Sequence, residues 1–284
     1  MCEFCLKHGE GEKWYLQAKN YSEDMLSDLR RLKFLEQFAD PKALEREIAK
    51  MNSGFGRLKR LPWFVRSLFS RMISRKMKKV HFGQVVPIEE IEQIFDFTNS
   101  IIRVACVCRQ STLGEEKRYC YGISLGPNGG RLLEIFKALE EKFTGGVDDN
   151  RFEMLTKEEA MAAFRDHEKE GLCHTVWTFQ TPFVGGICNC DRADCLAMQS
   201  TVTHAVPVMF RAEHIAEIDP AACNGCRQCM RLCQFGALSH SAANKKVVVD
   251  QTYCYGCGIC RSVCQTDAIS LSDRADSPVA AHIW

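Results

Sequence analysis

The stretch Cys223-Asn-Gly-Cys226-Arg-Gln-Cys229-Met-Arg-Leu-Cys233 has the spacing C-x2-C-x2-C-x3-C, and Cys254-Tyr-Gly-Cys257-Gly-Ile-Cys260-Arg-Ser-Val-Cys264 repeats it. The offset is 31 residues at all four cysteines, and several flanking residues follow the same shift. Two matched halves of this kind indicate an internal duplication and a pseudo-symmetric unit. Cysteines three residues apart in a tight loop suit three corners of an iron–sulfur cubane, and the fourth corner must come from elsewhere.

This duplicated pattern resembles the bacterial-type two-cluster ferredoxins over roughly residues 212–272, in which the fourth cysteine of each run ligates the other cluster. The resemblance implies two [4Fe–4S] clusters. One would be held by Cys223, Cys226, Cys229 and Cys264. The other would be held by Cys254, Cys257, Cys260 and Cys233. A pair of zinc sites is the alternative, but zinc motifs usually come as two C-x2-C pairs with a long spacer.

The unit departs from the ferredoxin pattern directly after each fourth cysteine, where Gln234 and Gln265 replace the usual proline. Each glutamine restores a backbone N–H that proline lacks. If that N–H pointed at a cluster sulfur it would favour the reduced state, and the alternative is that these amides face elsewhere. Around the motifs, we expect strands at 215–218 and 246–249 and short helices after Cys229 and Cys260.

Composition places this unit in an ordinary globular chain of 284 residues with 17 cysteines. A net charge of +1 argues against a surface built for nucleic acid, so we expect no nucleic-acid partner. No secretory signal and no apolar run long enough to span a membrane is visible. We therefore expect a cytoplasmic, reducing compartment, in which clustered thiolates hold metal rather than form disulfides.

Six further cysteines form a second pattern. Cys106-Val107-Cys108 and Cys188-Asn189-Cys190 are C-x-C motifs at the ends of apolar stretches, with Cys120 and Cys195 nearby in the chain. Over roughly residues 85–200 the pattern resembles a Cys-rich module that precedes ferredoxin domains in some anaerobic iron–sulfur proteins. That resemblance predicts a third iron–sulfur cluster on Cys106, Cys108, Cys188 and Cys190, with Cys120 and Cys195 as substitutes. A structural zinc site and inert buried thiols are the alternatives.

The remaining cysteines lie at the start of the chain and at position 173. Cys2-Glu-Phe-Cys5-Leu-Lys-His8 has the spacing C-x2-C-x2-H, which supplies up to three zinc ligands or caps a cluster elsewhere. The alternative is a frayed terminus without metal. The pair Cys173-His174 is more typical of packing than of a ligand.

Residues 51–88 carry nine basic side chains and no acidic one, with apolar residues at helical spacing. We expect the segment from Arg57 to Lys79 to dock an acidic redox partner protein. An anionic membrane face is a less favoured occupant. A third interpretation is an amphipathic helix whose apolar side packs on this protein and whose basic side is solvated.

Together these patterns predict an α+β fold with a helical, basic N-terminal region at 1–84, a Cys-rich α/β module at 85–205 and a two-cluster ferredoxin domain at 206–284. Two helices are expected within 22–51, the first capped by Ser22 and the second ending at 52–54. Further helices are expected at 88–100, 131–143 and 156–170, the last with a Thr156–Glu159 capping box.

The predicted function is an electron-transfer protein of an anaerobe that relays single electrons to or from a larger oxidoreductase. It would act as a carrier or subunit rather than as a stand-alone enzyme. One alternative is a reductase whose N-terminal metal site reduces a substrate with electrons from the ferredoxin domain. Another is an interaction protein whose N-terminal cysteines are redox-silent.

Overall fold

The computed structural model describes residues 2–144 and 151–284, and its α+β fold confirms the predicted class. The N-terminal region is helical. Its helices are α1 (Glu3–His8), α2 (Leu29–Ala39), α3 (Pro41–Lys59) and α4 (Trp63–Val80). No helix in the described residues has the length and apolar character that crossing a membrane requires.

Two predicted boundaries in this region are wrong. Ser22 caps only a 3-10 turn at Glu23–Ser27, and α2 begins later, where the Asp28 carboxylate accepts a hydrogen bond from the backbone N–H of Arg30. The Asn-Ser-Gly stretch at 52–54 does not end α3, which continues to Lys59. A glycine inside a helix costs only about 1 kcal/mol relative to alanine, and burial of Phe55 against the His204 ring offsets it.

The middle of the chain forms one seven-stranded sheet in the order β4-β2-β3-β6-β5-β1-β7. All neighbours are antiparallel except the parallel pair of β1 and β7. The strands are β1 (Gly83–Val85), β2 (Ser100–Val104), β3 (Cys120–Ser124), β4 (Glu153–Leu155), β5 (Cys173–Thr178), β6 (Val184–Cys190) and β7 (Met209–Phe210).

Five helices connect or flank these strands. They are α5 (Ile88–Phe97), α6 (Val107–Leu113), α7 (Gly130–Thr144), α8 (Lys157–Lys169) and α9 (Leu196–Met198), which continues into a π-turn at Gln199–Thr203. The helices α5, α7 and α8 confirm the predictions, and both hydrogen bonds of the Thr156–Glu159 capping box are present. The largest core contains aromatic side chains such as Trp14, Phe82 and Phe164.

Residues 214–273, the C-terminal unit, contain two antiparallel pairs of strands. Strand β8 (His214–Ile218) pairs with β11 (Ile269–Asp273), and β9 (Leu238–Ser241) pairs with β10 (Lys246–Val249). The predicted strands are therefore present, and each one pairs with the strand that follows a cysteine run. Helix α10 (Gln228–Leu232) and a 3-10 helix at Ile259–Val263 confirm the predicted short helices.

Gly225 and Gly256 explain why each cysteine run begins C-x-G-C. Both have positive φ angles, +74° and +68°. An added Cβ would lie 2.1 Å from the carbonyl oxygen of Lys245 in the first case and of His214 in the second. Only glycine lets each loop pass so close to the backbone.

Candidate metal centres

The first set of duplicated cysteines surrounds a cavity in the C-terminal unit. A small cavity of about 20 Å³ is lined by the four thiols Cys223, Cys226, Cys229 and Cys264. The remaining wall is largely apolar and includes Ile218, Val247 and Ile269. Four thiols from two separate runs therefore converge on one cavity, a donor set that suits an iron–sulfur cluster.

The second set is Cys233, Cys254, Cys257 and Cys260. Burial first, and then the nearby Cys257 thiol, raise the pKa values of Cys233, Cys254 and Cys260. Backbone N–H groups donate to two of these sulfurs: Ala216 to Cys254 at 3.4 Å and Ala237 to Cys233 at 3.2 Å. Burial raises the pKa of Cys254 to about 11. A bound metal would therefore have to displace a proton from this thiol.

Gln234 joins the C-terminal unit to the sheet. Its side-chain amide donates to the carbonyl oxygen of Gly171 at 2.8 Å, and its carbonyl oxygen accepts from the backbone N–H of Arg192 at 2.9 Å. Proline has no side-chain amide and makes neither bond. The departure from the ferredoxin pattern at this position thus serves the contact between the two parts of the chain.

Comparison with known proteins covers this unit alone. Residues 222–268 match the protein-family model of the 4Fe-4S dicluster domain. The C-terminal unit is of the ferredoxin type. The match supports an iron–sulfur electron-transfer role for it. A search of the curated proteins finds none that matches the chain.

The six other cysteines of the C-x-C pattern meet at one end of the seven-stranded sheet. We call this set the six-thiol group; it consists of Cys106, Cys108, Cys120, Cys188, Cys190 and Cys195. Strands β3 and β6 pair Cys120 directly with Cys188, and alternation along β6 places Cys190 on the same face as Cys188. Cys106 and Cys195 occupy the N-cap positions of α6 and α9.

Sulfur–sulfur contacts divide the six-thiol group into two chains of three. Cys106 and Cys120 are 3.2 Å apart at their Sγ atoms, and Cys120 also hydrogen-bonds with Cys188. In the second chain, the Sγ atoms of Cys190 and Cys195 are 3.1 Å apart, and Cys195 hydrogen-bonds with Cys108. The middle members are thus Cys120 and Cys195.

Cys195 is the thiol of this group best prepared to ionise. Hydrogen bonds with the thiols of Cys108 and Cys190, and from the backbone N–H groups of Met198 and Ala197, hold its pKa well below the usual value. A low pKa favours the thiolate form of this cysteine.

A buried arginine borders the other chain of thiols. The Arg109 guanidinium lies 3.6 Å from the Cys106 sulfur, donates to the carbonyl oxygen of Asn189 and pairs with Asp191. The backbone N–H of Tyr119 also donates to Cys106 at 3.0 Å. These donors favour the thiolate, whereas the hydrogen bond with Cys120 and burial raise the pKa of the Cys106 thiol.

Cys173 is a functional candidate that the sequence pattern assigned to packing. It is fully buried, stands opposite Cys190 in the pairing of β5 with β6, and lies beside Cys257, whose pKa its thiol lowers. Only the tertiary fold brings Cys173 beside Cys257, so no sequence motif could predict this contact.

Cys2 and Cys5 lie together at the start of α1, with their Sγ atoms 3.1 Å apart. The predicted third donor, His8, does not join them; its ring packs 5.4 Å from that of Phe4. Glu213, which comes directly before β8, supplies the nearest carboxylate instead. The sequence motif could not reveal Glu213, because 208 residues separate it from Cys5.

Helix α4 carries most of the basic segment, whose first residues belong to the end of α3, and it exposes several cations and large apolar side chains. Ser70 and Ser74 form the packed face, where their hydroxyls donate to the carbonyl oxygens of Ala205 and Pro207. The exposed apolar side chains are Trp63, Phe64, Leu68, Phe69 and Met72. The interpretation in which the apolar side packs on this protein is therefore wrong for these five residues.

Proposed function

We propose that this chain is an electron-transfer protein that relays single electrons between two [4Fe–4S] clusters in the C-terminal unit, a third cluster in the six-thiol group, and a larger oxidoreductase. The observation that carries the proposal is a shared apolar core. Cys108, Cys188, Cys190 and Cys195 pack in the same core as Cys233 and Cys257 of the C-terminal unit. Cys173 lies in that core between the two sets of thiols.

In the C-terminal unit we assign Cys223, Cys226, Cys229 and Cys264 to one cluster and Cys254, Cys257, Cys260 and Cys233 to the other. Each assignment combines three cysteines of one run with the last cysteine of the other run. When bound, such clusters accept and release one electron at a time. The chain's own contribution is the apolar wall around the thiols and the N–H groups that Ala216 and Ala237 direct at them.

For the six-thiol group, the contacts favour one set of four ligands. In a cubane each ligand sulfur sits at its own corner, so we take as ligands the thiols that are not in contact with one another. The end members of the two chains of three avoid both measured sulfur–sulfur contacts. Those four are Cys106, Cys108, Cys188 and Cys190. Cys120 and Cys195, the middle members, would then lie beside the ligands as hydrogen-bonding neighbours.

The test of this assignment is paramagnetic resonance of the reduced protein, together with iron analysis, on matched serine variants. We expect Cys108→Ser and Cys190→Ser each to remove the same cluster signal. Cys120→Ser and Cys195→Ser should keep that signal with an altered potential, because they remove neighbours rather than ligands. Signals from the C-terminal unit should persist in all four variants.

Two outcomes would contradict parts of this proposal. Full iron content and unchanged spectra in Cys108→Ser and Cys190→Ser would remove the third cluster from these residues. Loss of the signal in Cys120→Ser or Cys195→Ser, with retention in the other two, would reverse the ligand assignment. A cluster with a non-cysteine or open position would favour the alternative function, a reductase that acts on a substrate at this site.

Helix α4 would be the docking surface for the redox partner. Its exposed cations are Arg71, Arg75, Lys76 and Lys79, and they lie among the exposed Trp63, Phe64 and Met72. An acidic partner protein with an apolar patch complements both features. Lys78 does not belong to this surface, because it pairs with Glu3 at 2.6 Å and lies 4.1 Å over the Trp284 ring.

A further inference from the structure

The N-terminal cysteines meet a buried carboxylate from the other end of the chain. The Sγ atoms of Cys2 and Cys5 and a carboxylate oxygen of Glu213 all lie within 4.8 Å of one another, and all three residues are buried. Neither the dicluster match nor the proposed electron transfer uses this group. We propose that Cys2, Cys5 and Glu213 bind a zinc ion that fastens the N-terminal segment to the C-terminal unit.

The spacing of the donors is close to that of a tetrahedral zinc site. Cys5 Sγ lies 3.4 Å from Glu213 Oε1, against ~3.6 Å between sulfur and oxygen ligands at ordinary zinc bond lengths. The two sulfurs are 3.1 Å apart, against ~3.8 Å for two thiolates on one zinc. Opening this pair by a few tenths of an ångström on each side would seat the ion. Two thiolates favour zinc over magnesium or calcium, which prefer oxygen ligands.

The charges of the site also favour a divalent cation. Two thiolates beside a carboxylate in a buried place would repel one another strongly. A divalent cation bound to these three groups leaves one negative charge, and Arg274, itself 1% exposed, pairs with the other oxygen of Glu213 at 2.7 Å. Arg274 therefore neutralises the site and also orients Glu213 Oε1 toward the thiols.

The surrounding structure holds the donors in place before any metal binds. The backbone N–H of Cys2 donates to Glu213 Oε1 at 3.1 Å, and the N–H of Cys5 donates to the Cys2 sulfur at 3.4 Å. Phe4 packs its ring 4.9 Å from Phe82 and 5.1 Å from Trp284, which excludes water from one side. Donors that are held by neighbouring groups lose little freedom when a metal binds.

The fourth zinc position is open to a small ligand such as water. In the part of the chain that the structure describes, the group has three donors and His8 is not among them. This distinguishes the proposal from the C-x2-C-x2-H motif that the sequence offers. A site with Glu213 ties α1 to β8, whereas a site with His8 would hold α1 alone.

The test is metal analysis of the full chain, purified without oxygen, stripped of loosely bound metal and titrated with Zn²⁺. We expect about one zinc per chain in the natural sequence and in His8→Ala. Cys5→Ser and Glu213→Gln should lose this zinc, while iron content and cluster spectra stay unchanged. Substitution by Co²⁺ should give thiolate charge-transfer absorption that disappears in Cys5→Ser.

Hydrogen exchange gives a second readout that separates metal binding from misfolding. Adding Zn²⁺ should slow amide exchange in residues 2–16 of the natural sequence and leave Cys5→Ser unaffected. Zinc retained in both Cys5→Ser and Glu213→Gln would overturn the proposal, as would zinc lost in His8→Ala. A Cys2–Cys5 disulfide in a chain that holds no zinc would overturn the proposal as well. Mass spectrometry would show it as a loss of two hydrogens that maps to these two cysteines.

Discussion

The C-terminal unit and the six-thiol group assemble their thiols in opposite ways. In the C-terminal unit, three cysteines of each run lie within seven residues, and the loops spread their sulfurs around a cavity or toward backbone N–H groups. In the six-thiol group, the sulfurs come from positions up to 89 residues apart and contact one another at 3.1–3.2 Å. The first arrangement depends mainly on spacing within each run, and the second depends on the pairing of β3 with β6 and on the positions of α6 and α9.

The two regions also differ in what surrounds the thiols. The core of the C-terminal unit consists mainly of cysteines and small or branched residues such as Ala216, Ala237 and Val247. The six-thiol group instead borders a seven-stranded sheet whose core includes Trp14, Phe82 and Phe164. Aromatic side chains bury much more apolar area than alanine or valine. We therefore expect the C-terminal unit to depend on its clusters for folding and the sheet to fold without metal.

Removal of iron should have the largest effect. Intact protein should hold about eight iron and eight sulfide for the C-terminal unit, and about twelve of each with a third cluster. Stripping the iron should unfold the C-terminal unit, because metal binding and folding are coupled when thiolates form the core. Hydrogen exchange should then show fast amides at 214–273 and protected amides in the sheet. If the amides of both regions stayed protected after iron removal, the C-terminal unit would not depend on its clusters for folding.

Cys173 tests the junction between the two regions. Cys173→Ala removes the thiol that lies beside Cys257 without removing a proposed ligand. Because that thiol favours the ionised Cys257 sulfur, its loss should lower the reduction potential of the cluster, on the order of 40 mV for an interaction of about 1 kcal/mol. A redox titration followed by paramagnetic resonance measures the shift.

Thr175, which follows Cys173 by two residues on β5, provides a control for this prediction. Thr175→Val removes a hydroxyl 3.8 Å from the Cys190 sulfur and should leave the potential of the Cys257 cluster unchanged. Equal potentials in Cys173→Ala and the natural protein would mean that the contact is packing alone. Loss of iron in Cys173→Ala would instead make Cys173 a ligand.

The smallest effect is expected on the surface of α4, away from both thiol sets. Arg71→Glu, Arg75→Glu and Lys76→Glu combined should slow electron transfer to an acidic partner about two- to threefold at low salt, with the difference shrinking as salt rises. The cluster spectra should not change. Stopped-flow reduction at several ionic strengths measures the effect.

A matched control places the same change in charge on α2 and α3, at the exposed Lys33, Lys42 and Arg46. That triple variant should transfer electrons at the natural rate. Equal slowing in both variants would mean that the effect comes from net charge and not from a docking surface on α4. If the natural chain bound anionic vesicles and the α4 variant did not, the surface would bind a membrane and not a protein partner.

Much of the architecture was predictable because its signals are local. The capping box at Thr156 and the two short helices within the cysteine runs depend on residues a few positions apart. The errors at Ser22 and at residues 52–54 arose where neighbouring contacts overrode a local signal. In one case Asp28 supplied the helix cap, and in the other the burial of Phe55 carried the helix past a glycine.

The sequence by itself determined the chemistry of this protein, since the duplicated spacing of eight cysteines, with its two loop glycines, is a local pattern that specifies a thiolate cluster site. Tertiary structure decided which distant groups meet. It paired Cys120 with Cys188, carried Cys173 to Cys257, and replaced His8 by Glu213 beside Cys2 and Cys5. The physical reason is that sheet register and the docking of Gln234 and Arg274 act between residues far apart in the chain, where no spacing rule applies.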